Sequence, residues 1–281
     1  MPFVATHRAA TESWECDQNA HLNVQFYNKR FDDAGRMLHA LHGAAPATPR
    51  LRHVRYIREL RQDTSCLIDS AVLADGPHAG ALVHILRNAS GGDIAATCID
   101  DIGDAASGLP RVSDADLPAP VSRGMTPGPW APMDDAGLLA AGAAVFSSSM
   151  VVRPAQCDPD GRLAPWTLVS CFSNGATIAW DHLGVMSDWL TAHDLGRALV
   201  EMKLAIHALP GPGACLRQLT WPHNVNDRTV CLRHQITDLT TGALVAQGDL
   251  VGLVFDLGAR RAVRVPPEAQ ARMAELLTRI A

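Results

Sequence analysis

Aromatic residues are scarce in this chain, with two tyrosines and six phenylalanines among 281 positions, and no run of one charge stands out. Lysine and arginine total 24 against 29 acidic residues, a net charge of −5, so the basic footprint of a nucleic-acid binder is missing. No apolar stretch approaches the roughly 18 residues that a membrane-spanning helix needs. The best, 136–146, is short and alanine-rich. Met1-Pro2-Phe3-Val4-Ala5-Thr6-His7-Arg8 shows no basic segment leading into an apolar one, so no signal peptide is expected. The seven cysteines are odd in number and never spaced Cys-x-x-Cys. They read as free, mostly buried thiols of a reducing cytoplasm, not as a disulfide frame or zinc site. Twelve histidines raise the question of a metal. His39 and His42 share a helix face by spacing, but no acidic or cysteine partner completes a site, and no metal is expected.

What the chain does have is apolar content, 47% against 19% charged, enough for one large domain or two modest ones. It also repeats itself. Cys16-Asp17-Gln18-Asn19-Ala20-His21-Leu22 returns as Cys157-Asp158-Pro159-Asp160-Gly161-Arg162-Leu163, an offset of 141 that also carries Phe31 onto Phe172 and Gly43 onto Gly184. After a small length change, His84 pairs with His234 and Gly92 with Gly242 at an offset of 150. A shared offset across several landmarks points to two related halves. Between them, six of the eighteen prolines fall from Pro110 to Pro132 among glycines and aspartates, which predicts an extended surface linker. The expected organisation is a first domain over 1–103, a linker over 104–135 and a second domain over 136–281.

Phe26, Tyr27, Arg30, Phe31, Ala34, Leu38 and Leu41 recur at helical spacing, and Gly43 stands where such a helix would stop. Before it, 3–14 reads as a weak strand; after it, 52–61, 66–74, 81–88 and 94–102 read as strands separated by turn residues. The second half predicts the same order: a helix from Pro165 past Phe172, strands over 200–208, 214–221, 229–238 and 243–255, then a closing helix over 266–280. The expected class is α+β, with two antiparallel sheets each wrapped around a long central helix.

Asp17-x-Asn19-x-His21-Leu22-Asn23 lies immediately before the first predicted helix, with Tyr27 one turn inside it. A carboxylate, two amides and an imidazole converge there on unpaired helix N–H groups, which favour developing negative charge. Such an arrangement suits a carbonyl under attack. The ordinary alternative is structural: Asp17 or Asn19 caps the helix and Asn23 bonds a turn, the commonest work of these residue types at such a place.

The loop pattern D-x-N-x-H-[VL]-N ahead of an aromatic-rich helix resembles that of the hotdog-fold thioesterases. Tyr56-Ile57-Arg58-Glu59-Leu60-Arg61-Gln62-Asp63 resembles the Y-R-R-E-C-x-x-D strand of plant-type acyl-carrier-protein thioesterases, which are double hotdogs. The chain is also similar to smaller relatives of 4-hydroxybenzoyl-CoA thioesterase. The resemblance implies a double hotdog that hydrolyses an acyl thioester. It places Asp17, Asn19, His21 and Glu59 in catalysis, with Asn23, Tyr27 and Arg58 as substrate contacts. Leu60 stands where the plant-type motif has cysteine, which excludes a thiol nucleophile there. Val24 replaces that family's second consecutive asparagine, and the motif sits in the first half, not the second.

Hydrolysis needs a polarised carbonyl, suited to the helix amides, and an activated nucleophile. Asp17 or Glu59 either deprotonates a water or attacks directly to give an anhydride, with general-base activation preferred. His21 and Asn19 suit orienting the carboxylate or water. The expected substrate is acyl-CoA ahead of acyl-carrier protein, with no cofactor, no nucleic-acid or membrane partner, and a pseudo-dimer within the chain that leaves homo-oligomers open. The rivals are a non-catalytic acyl-thioester-binding protein and a hotdog dehydratase or hydratase. The first has no need of a buried base, and the second requires a different His/Asp loop.

Arg50, Arg52, Arg55, Arg58 and Arg61 read as one cationic cluster, either for CoA phosphates or an acidic carrier, or as a solvated sheet face. Cys16 and its repeat Cys157 read as small buried hydrophobes, and Trp14 and Trp130 as packing or acyl-pocket lining. The second copy of the motif has decayed. Asn19 becomes Asp160, His21 becomes Arg162, Asn23 becomes Ala164, and Glu59 meets His207 or a neighbour. Asp158 is expected to cap the Pro165 helix, leaving one active site per chain.

Overall fold

In the first half of the chain, strand β1 (Val4–Ala10) leads to helix α1 (Val24–Leu41), and β2 (Leu51–Tyr56), β3 (Ser65–Leu73), β4 (Leu82–Asn88), β5 (Ile94–Asp101) and the short β6 (Arg111–Val112) follow. The computed structural model describes residues 3–17, 19–118 and 130–280. It divides into two compact units, Met1–Thr126 with Pro165–Val169, and Pro127–Ala164 with Ser170–Ala281. In the first unit the antiparallel order is β1-β3-β4-β5-β2, with β6 parallel to β3. Asn23 caps α1 by accepting from the Gln25 amide, and Gly43, at φ 64°, ends it in the left-handed conformation that glycine adopts without strain. Phe31, Ala34 and Leu38 are fully buried on the helix face that the sequence spacing predicts.

The second unit contains α2 (Asp135–Ala140), β7 (Val145–Val151), most of α3 (Pro165–His182), α4 (Ser187–Ala192), β8 (Leu195–Ile206), β9 (Cys215–Val225), β10 (Thr229–Asp238), β11 (Leu244–Asp256), β12 (Arg261–Ala262) and α5 (Pro267–Thr278). Its order, β7-β9-β10-β11-β8, is the first unit's order repeated, with β12 added to β11. Even the irregularities recur. The β1–β3 register slips between Ala5 and His7, and the β7–β9 register between Phe146 and Ser148. Each bulge turns a hydroxyl inward. Thr6 reaches Ser70 at 2.7 Å, and Ser70 reaches His84 Nδ1 at 2.7 Å. In parallel, Ser147 reaches Thr220 and Thr220 reaches His234 Nδ1, both at 2.7 Å. Gly248 admits the close approach of α3: a Cβ there would stand 2.7 Å from Phe172 Cζ.

Two expectations change. The strand expected over 52–61 ends at Tyr56, because the Ile57 and Arg58 amides both turn to the Ala95 carbonyl, at 2.8 and 3.0 Å. Arg58 and Glu59 therefore lie on an irregular segment. Residues 104–135, expected as an extended linker, include short 3₁₀ turns, the two-residue β6 and the start of α2 at Asp135; 130–134 have no regular structure and 119–129 lie outside the described residues. The Val72 amide donates to Pro110 O, and Val112 joins Ala71, Leu73, Val83, Ile85 and Ile99 in a core cluster. Trp130 and Met133 pack on Trp221 and Leu138. The apolar side chains interspersed among the prolines have sheet surface to cover, and that outweighs the breaking tendency of the sequence.

Candidate active site

The loop before α1 is closed by backbone bonds that its sequence dictates. Asp17 N donates to His21 O at 2.8 Å, and Ala20, at φ 58°, turns the chain. Asp17 Oδ1 accepts from the Asn19 and His21 amides at 2.8 and 3.1 Å. The carboxylate thus holds the turn. Asn19 is half-buried at the turn. Asn23, expected as a substrate contact, is the helix cap. Its Oδ1 accepts from Gln25 N at 3.1 Å and its carbonyl from Phe26 N at 2.9 Å. Two leading amides of α1 are therefore taken, which leaves the positive end of the helix dipole as the main electrostatic attraction for a carbonyl oxygen.

Behind the loop, Arg30 is buried and pairs with Glu15 at 2.7 Å. Burial alone would raise the Glu15 carboxyl, but the Arg30 hydrogen bond overcomes it and holds it below its ordinary range. The Asn23 amide donates to Glu15 O, so this ion pair also fixes where α1 begins.

The loop is stitched to the segment after β2. Leu22 N donates to Leu60 O at 2.7 Å, Gln62 N to Ala20 O at 3.2 Å, and His21 and Arg61 form an isolated bridge. This stitching brings the two sequence motifs together. His21 Nε2 lies 3.3 Å from Glu59 Oε2, an ion-pair distance without hydrogen-bond alignment, with side chains 12% and 31% exposed. Water can reach the Glu59 carboxylate, while His21 Nε2 itself is shut off from solvent. Tyr27, expected to touch substrate, is buried, and its hydroxyl accepts from Leu60 N at 3.0 Å. Burial pushes its phenol well above the ordinary value, so it stays protonated.

The arginine cluster does not exist as one patch. Arg52 is fully buried, bidentate to Asp100 at 2.6 and 2.8 Å and 2.7 Å from Asp32. Arg58 is exposed and lies 3.5 Å from Asp93. Arg50 is likewise exposed, opposite Asp101. Cys16 and Cys157 are half-exposed, not buried, and each donates to a carbonyl four residues back. Three of the seven free cysteines are buried. Trp14 is 74% exposed. Trp130 packs edge-on to Trp221 and donates its indole N–H to Asp249, a structural role. His39 and His42 each bond a backbone carbonyl one turn back through Nδ1.

The second copy keeps the turn but has neither the imidazole nor the two asparagines, with Asp160, Arg162 and Ala164 in their places. Asp158 N donates to Arg162 O, as Asp17 N does to His21 O. Leu163 N bonds Pro210 O as Leu22 N bonds Leu60 O, which aligns Glu59 with Leu209. His207, the counterpart expected from sequence, aligns instead with Ile57, since both amides bond matching carbonyls, Val245 and Ala95. The N-cap of α3 is Ala164, which makes no side-chain cap bond, and the Trp166 amide donates to Asp32 at 2.9 Å. Sequence reasoning missed Asp32 in that role because it lies 134 residues away.

Residues 152–273 match the family model described as the Thioesterase-like superfamily. No curated protein sequence matches the chain. Among solved structures, the chain is similar to a putative oleoyl thioesterase from Lactobacillus plantarum, at TM-score 0.58 and 11% identity over 88% of this chain and 94% of that one. It is similar to an acyl-ACP thioesterase from Bacteroides thetaiotaomicron, at TM-score 0.59 and 10% identity over 89% and 98%. The 12:0-ACP thioesterase from Umbellularia californica gives 0.58 and 12% over 89% and 94%. The resemblance to hotdog-fold thioesterases thus extends over most of the chain. At these identities it establishes the fold, and the matched segment lies beyond the loop that carries Asp17 and His21. Among the described residues no helix is long and apolar enough to cross a membrane.

Proposed function

We propose that the chain is a double hotdog that hydrolyses an acyl thioester at one site, in the first unit. The observation that supports this best is the approach of His21 to Glu59 beside the N-terminus of α1, joining residues 38 apart in sequence. Glu59, partly solvated and 3.3 Å from His21, is the general base. It takes a proton from water as the water oxygen attacks the thioester carbonyl. The tetrahedral intermediate collapses with loss of the thiolate, which takes up a proton to leave as thiol. His21 orients the Glu59 carboxylate, and the positive end of the α1 dipole stabilises the oxyanion. Asp17 and Asn19 shape the turn that presents His21. Arg58, exposed beside Glu59, is placed to meet an anionic carrier. The match to the thioesterase-like superfamily and the fold shared with thioesterases support the reaction class.

The substrate proposed first is acyl-CoA, with acyl-carrier protein second. Thiol release from a panel of acyl-CoAs, from acetyl to long-chain and aromatic, and from acyl-carrier protein, tests the reading. Tight binding without thiol release from any member would replace the hydrolase with a non-catalytic binder.

A further inference from the structure

We infer that Tyr27 is the positioning residue for Glu59, acting through the backbone that carries the carboxylate; this rests on the hydrolase reading above. Glu59 lies past the end of β2, on the irregular segment. The residues on either side of it are both held by one phenol. Tyr27 Oη accepts from Leu60 N at 3.0 Å and donates to Arg58 O at 3.4 Å. The ring is itself fixed edge-on to Tyr56, with centroids 5.4 Å apart. The Tyr56 hydroxyl in turn accepts from Asn28 Nδ2 at 3.0 Å, one residue along α1. Helix α1 thereby sets the position of Glu59 relative to His21, whose loop leads into the same helix.

The second unit supplies an independent observation. At the repeat offsets Tyr27 corresponds to Leu168, Leu60 to Pro210, Glu59 to Leu209 and His21 to Arg162. The hydroxyl acceptor and the N–H donor are both missing, since proline has no amide hydrogen. Yet the connection around them is kept: Leu163 N still bonds Pro210 O at 2.9 Å, as Leu22 N bonds Leu60 O at 2.7 Å. A bond needed only to join the helix to the segment after the strand would persist in both halves. This one is present where imidazole and carboxylate are present, and both of its ends are gone where they are gone.

Tyr27→Phe removes a single oxygen. The expected result is a folded protein whose kcat falls about 10- to 100-fold, the scale of a misplaced reacting group, with KM within about threefold. The discriminating readout is a double-mutant cycle. In a Glu59→Gln background, where there is no base left to position, Tyr27→Phe should cost less than about twofold. Equal losses in the two backgrounds, or wild-type kcat in Tyr27→Phe, overturn the proposal. Leu60→Pro removes the same bond from its other end and enters the same cycle if Tyr27→Phe does not fold. Failure of both variants to fold marks the bond as structural and also overturns it. A wild-type protein that releases thiol from no acyl-CoA or acyl-carrier protein sinks the hydrolase reading before any variant is compared, and this inference with it.

Discussion

Arg52 and Asp100 face each other across the β2–β5 ladder, joined by two charge-assisted bonds at 2.6 and 2.8 Å in a fully buried position. The corresponding cross-strand partners in the second unit are Met202 and Leu250. Asp32 completes a triad at 2.7 Å from Arg52, and its counterpart by offset is Ser173. The same pair of cross-strand positions is thus ionic in the first unit and apolar in the second. Burial raises the Asp32 carboxyl to about 6, with Arg52 offsetting only part of the penalty. At Asp100 the same burial is overcome by the Arg52 charge and hydrogen bonds, which hold it well below the carboxylate range.

Arg52→Met alone strands two buried carboxylates and is expected to cost about 3–5 kcal/mol in urea unfolding. Changing all three positions together, Asp32→Ser, Arg52→Met and Asp100→Leu, imports the second unit's own set and should recover most of that loss. Equal losses in the single and triple variants would show that charge compensation is not what the triad contributes.

Burial lowers the His234 imidazole to about 3, so it is neutral in the fold. The unfolded chain titrates near 6.5 and binds more protons below that pH. The stability contributed by this group is therefore complete above about 6.5 and is lost as pH falls towards 3, by at most about 1.4 kcal/mol per unit. Melting temperatures from pH 7 to pH 5 should fall more steeply in the wild type than in His234→Gln. Parallel slopes would remove His234 as the source. Asp32 acts with the opposite sign: its raised carboxyl favours the fold as pH falls through about 6.

Glu59→Gln should lower thiol release by about 10²–10⁴-fold, the range for a lost general base. Asp17→Asn keeps an oxygen able to accept from the Asn19 and His21 amides and should retain activity within about tenfold of wild type, because the turn survives. The reverse ranking would transfer the base to Asp17.

If one site operates per chain, Asp158→Asn leaves the rate within about threefold of wild type, well short of the loss of a base. Comparable losses in Asp158→Asn and Glu59→Gln would mean that both copies work.

Most elements were legible in the sequence because they depend on spacing over a few residues. The helical stripe from Phe26 to Leu38 and the turn glycines at Gly43, Gly92 and Gly242 are local facts, and their duplication reveals the repeat. Alternating side chains predict a strand as far as Arg61, because they cannot register that two successive amides turn to one carbonyl, Ala95 O. The resemblance implies Tyr27, Asn23 and Arg58 as substrate contacts; that the Tyr27 hydroxyl also meets Leu60 N, 33 residues on, is decided by the fold, whereas the Asn23 cap on Gln25 N is local.

By itself the sequence determined that the chain is two related halves and that only the first keeps an aspartate, a histidine and a glutamate in the motif positions. It could not determine which polar groups face inward. Arg52 sits among four other arginines in a stretch that reads as surface, yet it is buried because Asp32 and Asp100, twenty and forty-eight residues away, meet it across a helix and a neighbouring strand. A buried charge is tolerable only where partners converge on it. That convergence is set by strand register and helix packing, which bring together residues that no local pattern links.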